Sequence, residues 1–423
     1  MVKGSLLMKN EDDRLERIKS IVDRQAHDIP EDFDPENPSI PLARASYGTN
    51  EIMEVVESLF STKLTMGEKV REFEKEWANY LGIENGVMTN SGSSANLIAL
   101  KAASKDFSVD AEIIVPSVGW STSVFPILDA GAKPVFVDVD SNNFKVDVES
   151  IKSAINDKTE AMVLIHFLGN PADMDQIKDL CDEHDLVLIE DCAQAHGAEF
   201  KGQKVGTFGD FGTFSFSFSH HISTIEGGMV VTSSKSYREH LRMLRSWGRV
   251  RDIEDDSKFS QERENINQDF LFASHGYNVR PNEIQGALGI HQVERMEDFL
   301  EKRRHHAKDM NDRLSSIEDI VLLKERYDKK CSFLHYPILL KEESSHDRDD
   351  LRTYLEEKGI ETRPLLSGNM TKHPAFKSIE SRIEGDLEGA NHIQNNGLYI
   401  SNHHSLSTKE KDYIAKTIKE FFE

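Results

Sequence analysis

The chain has 423 residues, 38% of them hydrophobic and 30% charged, a composition typical of a globular protein with two packed units. Its formal net charge of −23 argues against nucleic acid and anionic membrane as partners, because both are negatively charged themselves. No stretch approaches the roughly 20 apolar residues of a membrane span, and the charged N-terminus lacks the apolar run of a secretory signal.

The first 41 residues are predicted to stand apart from the main body of the protein. Apolar residues at helical spacing, namely Leu15, Ile18 and Val22, predict a polar helix over residues 11–25. Residues 29–41 contain four prolines among acidic residues, which predicts an extended arm. We therefore predict an N-terminal helix and arm over residues 1–41.

Residues 42–290 are predicted to form a large α/β domain. Short apolar runs typical of strands alternate with segments of helical periodicity. The predicted helices are 52–60, 70–80, 95–103, 151–155 and 174–184, and the predicted strands are 87–89, 113–115, 135–137, 161–165 and 186–189. Such alternation indicates a mostly parallel sheet with helices on both faces, in which ligands bind beyond the carboxyl ends of the strands.

The pattern changes after Gly289. A long helix predicted over residues 292–314 leads to shorter elements at 333–340, 351–358 and 413–422. We predict a smaller C-terminal α+β domain over residues 291–423. The acidic stretch 252–269 is predicted to be a solvated loop.

Two polar segments follow predicted strands of the large domain. The run Asn90–Ala95 (NSGSSA) precedes a helix, and helix N-termini with small hydroxyl residues bind phosphate well, although a simple helix cap explains the run equally. Asp191 ends a buried apolar strand, where a carboxylate is costly unless it meets a cation or a protonated nitrogen such as that of a pyridinium ring. Asp191 and His196 are possible metal ligands, but no further ligand is suitably spaced. No metal site is predicted.

The stretch 214–228 (FSFSFSHHISTIEGG) is the strongest candidate for chemistry. Its aromatic/serine alternation predicts a strand with two different faces, and Glu-Gly-Gly marks a tight turn or a close approach of the backbone. His220 and His221 lie between the two. A strand, a turn and two exposed histidines is the alternative interpretation. Trp120, just past another strand, is placed to cover a flat ring or to fill the core.

Together these residues resemble the DegT/DnrJ/EryC1/StrS sugar aminotransferases, which depend on pyridoxal 5′-phosphate (PLP) and have the aspartate-aminotransferase fold (fold type I). The resemblance runs from about Ile40 to the C-terminus. It rests on SGSS at 91–94, EDCAQ at 190–194, GDFGTFSF at 209–216, EGG at 226–228, GYNVR at 276–280 and EIQ at 283–285. In this combination and order the motifs are specific.

The resemblance implies how the cofactor is held. Asp191 would bind the pyridine nitrogen, Gln194 would lie by the phenolic oxygen and Trp120 would stack on the ring. The implied phosphate-binding residues are Ser93, Ser94, Ser215 and, from a second subunit, Asn278. A homodimer with a shared active site is therefore expected.

One position departs from the family pattern. The family places a lysine, which bonds covalently to PLP, six residues before the glutamate of Glu-Gly-Gly. Counting back from Glu226 gives His220, whose imidazole transfers protons near neutral pH but cannot form that bond. The count makes His221 the weaker candidate. A histidine here resembles the branch of 3-dehydratases that act on nucleotide-activated 4-keto-6-deoxy sugars, as do the stretches 166–171, 368–369 and 399–404.

Iron–sulfur chemistry is not expected. The CDP-sugar enzymes of this branch hold a [2Fe–2S] cluster with four cysteines, and Cys192 lies where the first of them would be. The region from Trp247 onward has none of the others, and one thiolate cannot hold the cluster. The remaining cysteines, Cys181 and Cys331, show no paired spacing, which favours a reduced, cytoplasmic protein.

The resemblance implies loss of the C3 hydroxyl, as water, from a nucleotide-activated 4-keto-6-deoxyhexose, with GDP-4-keto-6-deoxy-D-mannose favoured. His220 would move the proton, ammonia would be released, and L-glutamate would regenerate pyridoxamine 5′-phosphate (PMP). The setting would be deoxysugar biosynthesis for lipopolysaccharide O-antigen, as in the colitose pathway.

Several alternatives remain open. Arg363 would clamp the glutamate carboxylate or is an ordinary surface arginine, and His403 and His404 would border the sugar or belong to a polar loop. The alternative functions are a nucleotide-sugar 4-aminotransferase, a CDP-sugar 3-dehydrase without its own cluster, and a non-catalytic PLP-fold binding protein. The set of polar groups suited to a cofactor ring argues against the last of these.

Overall fold

The computed structural model describes residues 13–24, 33–61, 63–255, 257–259 and 266–423. A helix, α1, spans residues 13–24, inside the range predicted for the first helix. The rest of that predicted helix, the predicted arm before residue 33 and part of the acidic stretch predicted to be a loop lie outside the described residues. Ile40 is buried and forms a parallel bridge with Ile360, so the end of the predicted arm packs against the C-terminal region.

The remaining helices and strands alternate along the chain. The first half contains α2 (Thr49–Ser61), α3 (Glu68–Leu81), β1 (Asn85–Thr89), α4 (Gly92–Ala103), β2 (Glu112–Pro116), α5 (Phe125–Asp129), β3 (Lys133–Val137), β4 (Val139–Asp140), β5 (Lys145–Val146), α6 (Val148–Ala154), β6 (Thr159–Ile165), α7 (Met174–Glu183), β7 (Val187–Asp191), β8 (Glu199–Phe200), β9 (Gln203–Lys204) and β10 (Phe211–Ser215). The second half contains β11 (Gly228–Thr232), α8 (Lys235–Arg245), α9 (Glu283–Glu294), α10 (Met296–Leu314), β12 (Ile320–Val321), β13 (Lys329–Lys330), β14 (His335–Leu340), α11 (Arg348–Glu357), β15 (Arg363–Pro364), α12 (Pro374–Lys377), β16 (Arg382–Ile383), α13 (Glu388–Asn396), β17 (Gly397–Ser401) and α14 (Thr408–Phe422).

The main sheet has eight strands in the order β1-β11-β10-β7-β6-β2-β3-β16. Neighbouring strands from β10 to β16 are parallel, and only β11 runs antiparallel to its neighbours. This is the mostly parallel sheet that the sequence predicts. Because the six parallel strands from β10 to β16 have their carboxyl ends at one edge, the residues after β2, β6, β7 and β10 are brought together there.

Alternating residues of the central strands pack into two different apolar layers. Val163 points into one cluster and Leu164 into another, and the same alternation holds for Ile113 and Ile114 of β2. Both faces of the sheet are therefore covered, which explains why these strands read as continuous apolar runs in the sequence.

A second sheet, with four antiparallel strands in the order β12-β14-β17-β15, belongs to the C-terminal part of the chain. It shares an apolar cluster with residues of α10, α11, α13 and α14. The short strand β16 returns to the edge of the main sheet. The boundaries 1–41, 42–290 and 291–423 stay predictions.

Two predicted elements differ from the structure. The helix predicted over 292–314 is divided at Arg295 between α9 and α10. The strand predicted from the alternation after Phe214 ends at Ser215, because the Phe216 N–H donates to Gly227 O and closes a loop. Within the described residues, no helix combines the length and apolarity required to cross a membrane.

Candidate active site

A cavity of about 540 Å³ lies at the carboxyl edge of the main sheet, between that sheet and the smaller one. Seven of the predicted site residues line it: Ser93, Trp120, Asp191, Gln194, Ser215, His220 and Arg363. The other five, Ser94, His221, Asn278, His403 and His404, are not part of its lining.

Asp191, the last residue of β7, is held by donors from three segments. Its Oδ2 accepts hydrogen bonds from Asn96 Nδ2 (2.9 Å) and Ser123 Oγ (2.7 Å), and its Oδ1 accepts one from the Ala193 N–H (3.1 Å). Thr213 in turn donates to Asn96 Oδ1. These bonds fix the carboxylate, and Oδ1 keeps acceptor capacity for a protonated ring nitrogen.

The N-terminus of α4 forms one end of the cavity together with Ser215. The Ser91 side chain caps the helix by accepting from the Ser94 N–H, which leaves the N–H groups of Gly92 and Ser93 without an intrahelical acceptor. A Cβ atom on Gly92 would lie 2.4 Å from the Ser215 Cβ, so glycine allows the helix to approach this serine. The converging N–H and hydroxyl groups suit a phosphate.

Trp120 and Gln194 line the same cavity as Asp191. The Trp120 side chain follows β2 and is 62% exposed, so it is not a core tryptophan. Gln194 Oε1 accepts from the Leu168 N–H (3.0 Å), which leaves the amide NH₂ group as a donor. An exposed indole and a free amide donor are groups that suit a flat aromatic ring with an oxygen substituent.

The loop between β10 and β11 delivers His220 to the cavity. The Thr224 N–H donates to Phe216 O and the His220 N–H donates to Ser217 O, which folds the loop back on itself. A Cβ atom on Gly228 would lie 2.2 Å from Ser91 O. The glycines of Glu-Gly-Gly thus serve a close backbone approach, which is one of the two roles expected from the sequence.

His220 is oriented by a backbone carbonyl. Its Nδ1 lies 2.7 Å from Ser215 O, and because a carbonyl only accepts, Nδ1 carries the proton and Nε2 carries the lone pair. Burial lowers the pKa of His220, although the bond to Ser215 and the nearby Asp191 carboxylate act in the opposite direction. The imidazole is therefore neutral near pH 7 and able to accept a proton at Nε2. Among the described residues that line the cavity, none is lysine.

The smaller sheet supplies the opposite wall through three neighbouring strands. Arg363 of β15 pairs with Tyr399 of β17 in register, and its guanidinium bonds Glu361 (2.9 Å) and Thr362 O. His335 of β14 stacks on Tyr399 with ring centroids 4.3 Å apart. Burial lowers the pKa of His335 to about 3, and its Nδ1 has no partner among the described residues.

The predicted residues outside the cavity have other surroundings. Ser94 donates to Asn90 Oδ1, and Asn278 is exposed and contacts Arg280. His221 is fully buried and donates from Nε2 to Ser332 O, while its Nδ1 lies 3.2 Å from His196 Nδ1. His403 contacts Ser405, and His404 stacks on Phe299 with centroids 3.8 Å apart.

Glu190 precedes Asp191 but points into the core. Its Oε1 accepts from the N–H groups of Phe208 and Gly209. Its Oε2 accepts from the Gly206 N–H and lies 3.1 Å from His166 Nε2. With Cys192, this glutamate and histidine form a compact group of potential metal ligands. The four donors already occupy the carboxylate, so these contacts hold the loop between β9 and β10 against the end of β7.

Sequence reasoning missed several lining residues, above all Asn96, Ser123 and His335. Asn96 is an amide side chain between Ala95 and the apolar residues that follow it in α4, a signal that the sequence does offer. Ser123 lies three residues after Trp120. His335 begins an apolar strand of the smaller sheet, and no local pattern indicates that this strand borders the cavity.

The comparisons with known proteins agree with this geometry. The model of the DegT/DnrJ/EryC1/StrS aminotransferase family matches residues 46–419. The chain belongs to the DegT/DnrJ/EryC1/StrS family. The expected family and its PLP-dependent aminotransferase fold are thereby confirmed.

Similar proteins lie in the 3-dehydratase branch of the DegT/DnrJ/EryC1/StrS family. The chain is 36% identical over 372 residues to GDP-4-keto-6-deoxy-D-mannose 3-dehydratase of Yersinia pseudotuberculosis, with 86% of this chain and 94% of the relative covered. The E. coli enzyme of that name, solved with bound hydrated PLP, superposes with a TM-score of 0.84 at 33% identity and covers 90% of this chain and 99% of its own. A histidine-to-asparagine mutant of that kind of enzyme, solved with GDP-perosamine, gives 0.84 at 32% identity over 90% and 100%.

These matches confirm the predicted enzyme class, a PLP-dependent sugar 3-dehydratase of this family. The residues present fit the cofactor: a fixed carboxylate for a protonated ring nitrogen, free helix N–H groups for a phosphate and an exposed tryptophan for the ring.

Proposed function

We propose that the chain catalyses C3 dehydration of a nucleotide-activated 4-keto-6-deoxyhexose, with GDP-4-keto-6-deoxy-D-mannose as the first candidate substrate. L-glutamate would serve as amino donor, and ammonia would be released with the 3-deoxy-4-keto sugar. The observation that carries this proposal is His220, a neutral imidazole in the cavity wall where the family has lysine. The names of the similar 3-dehydratases support the substrate class.

The cofactor would be held by Asp191 at its ring nitrogen, by Ser93 and Ser215 at its phosphate and by Trp120 against its ring. When bound as PMP it supplies an amine for the sugar ketone and an electron sink for the elimination. His220 Nε2 would accept a proton and return it to the departing C3 hydroxyl, since a single base on one face can serve both purposes. Ser215 O would keep the ring in the tautomer that exposes Nε2.

The assembly that we propose is a cytoplasmic homodimer. Asn278 is exposed and lies outside the cavity of its own chain, which suits a residue that reaches the cavity of a second copy. Asn278 of the partner subunit would then complete the phosphate site. The product would enter deoxysugar biosynthesis, with O-antigen colitose as the candidate.

Iron–sulfur participation is disfavoured by the positions of the cysteines. Cys192, Cys181 and Cys331 are buried in three different apolar clusters. Burial also raises the pKa of the Cys192 thiol well above its usual range, which opposes the thiolate that a cluster requires. We therefore propose that no cluster of this chain takes part.

A single-turnover assay tests the proposal. Purified protein with PLP, glutamate and GDP-4-keto-6-deoxy-D-mannose should release stoichiometric ammonia and yield a product that has lost the C3 oxygen. A product that gains nitrogen and keeps the C3 hydroxyl would show a 4-aminotransferase instead. Turnover only of a CDP- or dTDP-linked sugar would keep the reaction and overturn the nucleotide.

A His220→Lys variant tests the residue that carries the proposal. Lysine at this position should give the absorbance of covalently bound PLP and abolish dehydration. An intact dehydration rate in this variant would refute the assignment of His220.

A further inference from the structure

His335 is a cavity residue whose imidazole forms no hydrogen bond with the described protein. It begins β14, lines the cavity and is only 6% exposed. Its Nδ1 is enclosed and has no partner among the described residues, so Nε2 is the nitrogen left for a ligand in the cavity. A buried polar ring that bonds nothing in the protein is costly, and a bond to the ligand explains why it lies at a cavity wall.

The imidazole is held in place by the backbone before it and by stacking. Arg303 Nη1 donates to Leu334 O (2.8 Å), which anchors the start of β14. Phe333 has a φ of 44°, a left-handed conformation that a residue other than glycine keeps only where its surroundings enforce it. Tyr399 stacks on the imidazole with ring centroids 4.3 Å apart. The position of His335 is therefore preformed, as a residue that selects a ligand requires.

The charge state of His335 restricts the kind of ligand group that suits it. Burial, followed by the Arg303 guanidinium and the His220 ring, lowers the pKa of His335 to about 3, so the imidazole is neutral near pH 7. A phosphate or carboxylate would favour the positive charge of Arg363 in the same cavity. No acceptor of the described protein fixes the tautomer of His335, so Nε2 can donate or accept. A hydroxyl group, which also does both, is the matching partner.

The substrate class of the proposed function contains few hydroxyl groups on its sugar. In a nucleotide-activated 4-keto-6-deoxyhexose, C1 carries the diphosphate, C4 is the ketone, C5 bears the ring oxygen and C6 is a methyl group. Only C2 and C3 carry hydroxyl groups, and the C3 hydroxyl leaves with the proton that His220 returns. The C2 hydroxyl is the group of the hexose that still needs a partner.

We propose that His335 Nε2 binds the C2 hydroxyl of the hexose and thereby selects sugars that carry it; this rests on the proposed function. C2 is bonded to C3, so a contact at C2 also fixes the leaving hydroxyl relative to His220. His335 and His220 line the same cavity, which allows both to reach neighbouring carbons of one sugar. The C3 hydroxyl is the competing partner, and it is disfavoured because the neutral His335 holds no additional proton for a leaving group.

The test compares sugars with and without the C2 hydroxyl in the PLP-loaded full-length protein. Titration calorimetry with GDP-mannose and GDP-2-deoxymannose gives a ratio of dissociation constants, and kcat/KM for the matching 4-keto-6-deoxy sugars gives a ratio of rates. Both ratios should favour the hydroxylated sugar by about tenfold in the wild-type protein and fall to about one in His335→Phe, which keeps the stacking on Tyr399. His306→Phe replaces a buried histidine outside the cavity and should keep both wild-type ratios.

The unfolding free energy separates recognition of the sugar from packing. His335→Phe removes a nitrogen that has no partner, so urea denaturation without sugar should show an unfolding free energy that is unchanged or higher. His306→Phe should lower it, because His306 Nδ1 donates to His403 O (3.2 Å). A lower unfolding free energy in His335→Phe with unchanged sugar ratios would make His335 a packing residue and overturn the proposal.

The remaining outcomes are also decisive. Equal affinity of the wild-type protein for the two sugars, or no binding of either, would overturn the contact. Weaker binding of both sugars by His335→Phe at an unchanged ratio would assign His335 to another group of the ligand and also overturn it. A wild-type binding ratio that disappears in His335→Phe, without dehydration of any sugar nucleotide, would support the contact while refuting the proposed reaction.

Discussion

The two walls of the cavity differ in how completely their polar groups are paired. On the wall formed by the main sheet, Asp191 accepts three hydrogen bonds, and Asn96 links it to Thr213. On the wall formed by the smaller sheet, the Arg363 guanidinium bonds Glu361 and Thr362 O, both adjacent in the chain, and His335 Nδ1 has no partner among the described residues.

The difference matches two kinds of ligand. A paired wall holds its carboxylate in one orientation, which suits a cofactor that stays bound through many turnovers. A wall with spare polar groups would suit the exchanging ligands of the proposed function, a sugar nucleotide and an amino donor. His220 lines the same cavity.

The largest loss of activity is expected from a change to His220. His220→Asn should reduce dehydration by about 10²–10⁴-fold, because asparagine cannot accept and return a proton near neutral pH. Ammonia release in steady state measures this, and bound cofactor measured by absorbance should remain. His221→Asn is the matched control: it should destabilise the fold yet keep the rate per folded molecule. A greater loss of rate in His221→Asn would reassign the base.

A smaller loss, of both cofactor binding and rate, is expected from a change to Asp191 on the wall formed by the main sheet. Asp191→Asn should weaken cofactor binding and lower the rate, each by about tenfold or more, because it removes the charge opposite the ring nitrogen and replaces one acceptor oxygen with an NH₂ donor that faces other donors. Equilibrium dialysis of PLP and the initial rate measure the two effects. Asp210→Asn makes the same change where the carboxylate accepts only from the Leu188 N–H, outside the cavity. Equal losses in both variants would contradict the role of Asp191.

On the wall formed by the main sheet, the sequence predicted the residues that lie at strand ends but not Asn96 and Ser123, the side-chain donors to Asp191. Asp191 directly ends β7, Ser215 ends β10, and Trp120 lies four residues after β2. Once the strand–helix alternation indicates a parallel sheet, residues at those ends must converge. His220 was predicted from the family resemblance, by counting back along one loop from Glu226.

The smaller sheet could not be predicted in the same way. His335, Tyr399 and Arg363 are separated by at least 28 positions in the chain, and only the pairing of β14, β17 and β15 brings them together. The alternation after Phe214 was also misleading, because its serines and phenylalanines continue past Ser215 while the chain turns into the loop that carries His220. The position of these strands and the end of β10 depend on contacts between residues that are distant in the sequence, and no local pattern indicates such contacts.

On the wall formed by the smaller sheet, a substitution of Arg363 should change the binding of the amino donor alone. Arg363→Gln should raise the KM for glutamate by about tenfold, since it removes a charged donor for the carboxylate. A single turnover that starts from PMP and sugar nucleotide should keep its rate. Arg352→Gln, on the exposed face of α11 beside Glu356, is the matched control. An unchanged glutamate KM would make Arg363 an ordinary surface residue.

The smallest effect concerns the histidines packed behind the cavity, of which His404 is the clearest. Burial, followed by the neighbouring His403 ring and the Arg303 guanidinium, lowers the pKa of His404 in the folded protein. At His404 the unfolded chain binds a proton below about pH 6.5, and the folded protein does not. The unfolding free energy therefore has its full value above that pH and decreases as the pH falls. His404→Phe keeps the stacking on Phe299. The unfolding free energy of the wild-type protein should fall between pH 7.5 and pH 5.5, and in the variant this fall should be smaller by about 1.4 kcal/mol. Urea denaturation at the two pH values measures this, with the exposed His305→Phe as control. The same pH dependence in both variants would show that His404 titrates freely in the folded state and that the region behind the unpaired wall is open to water.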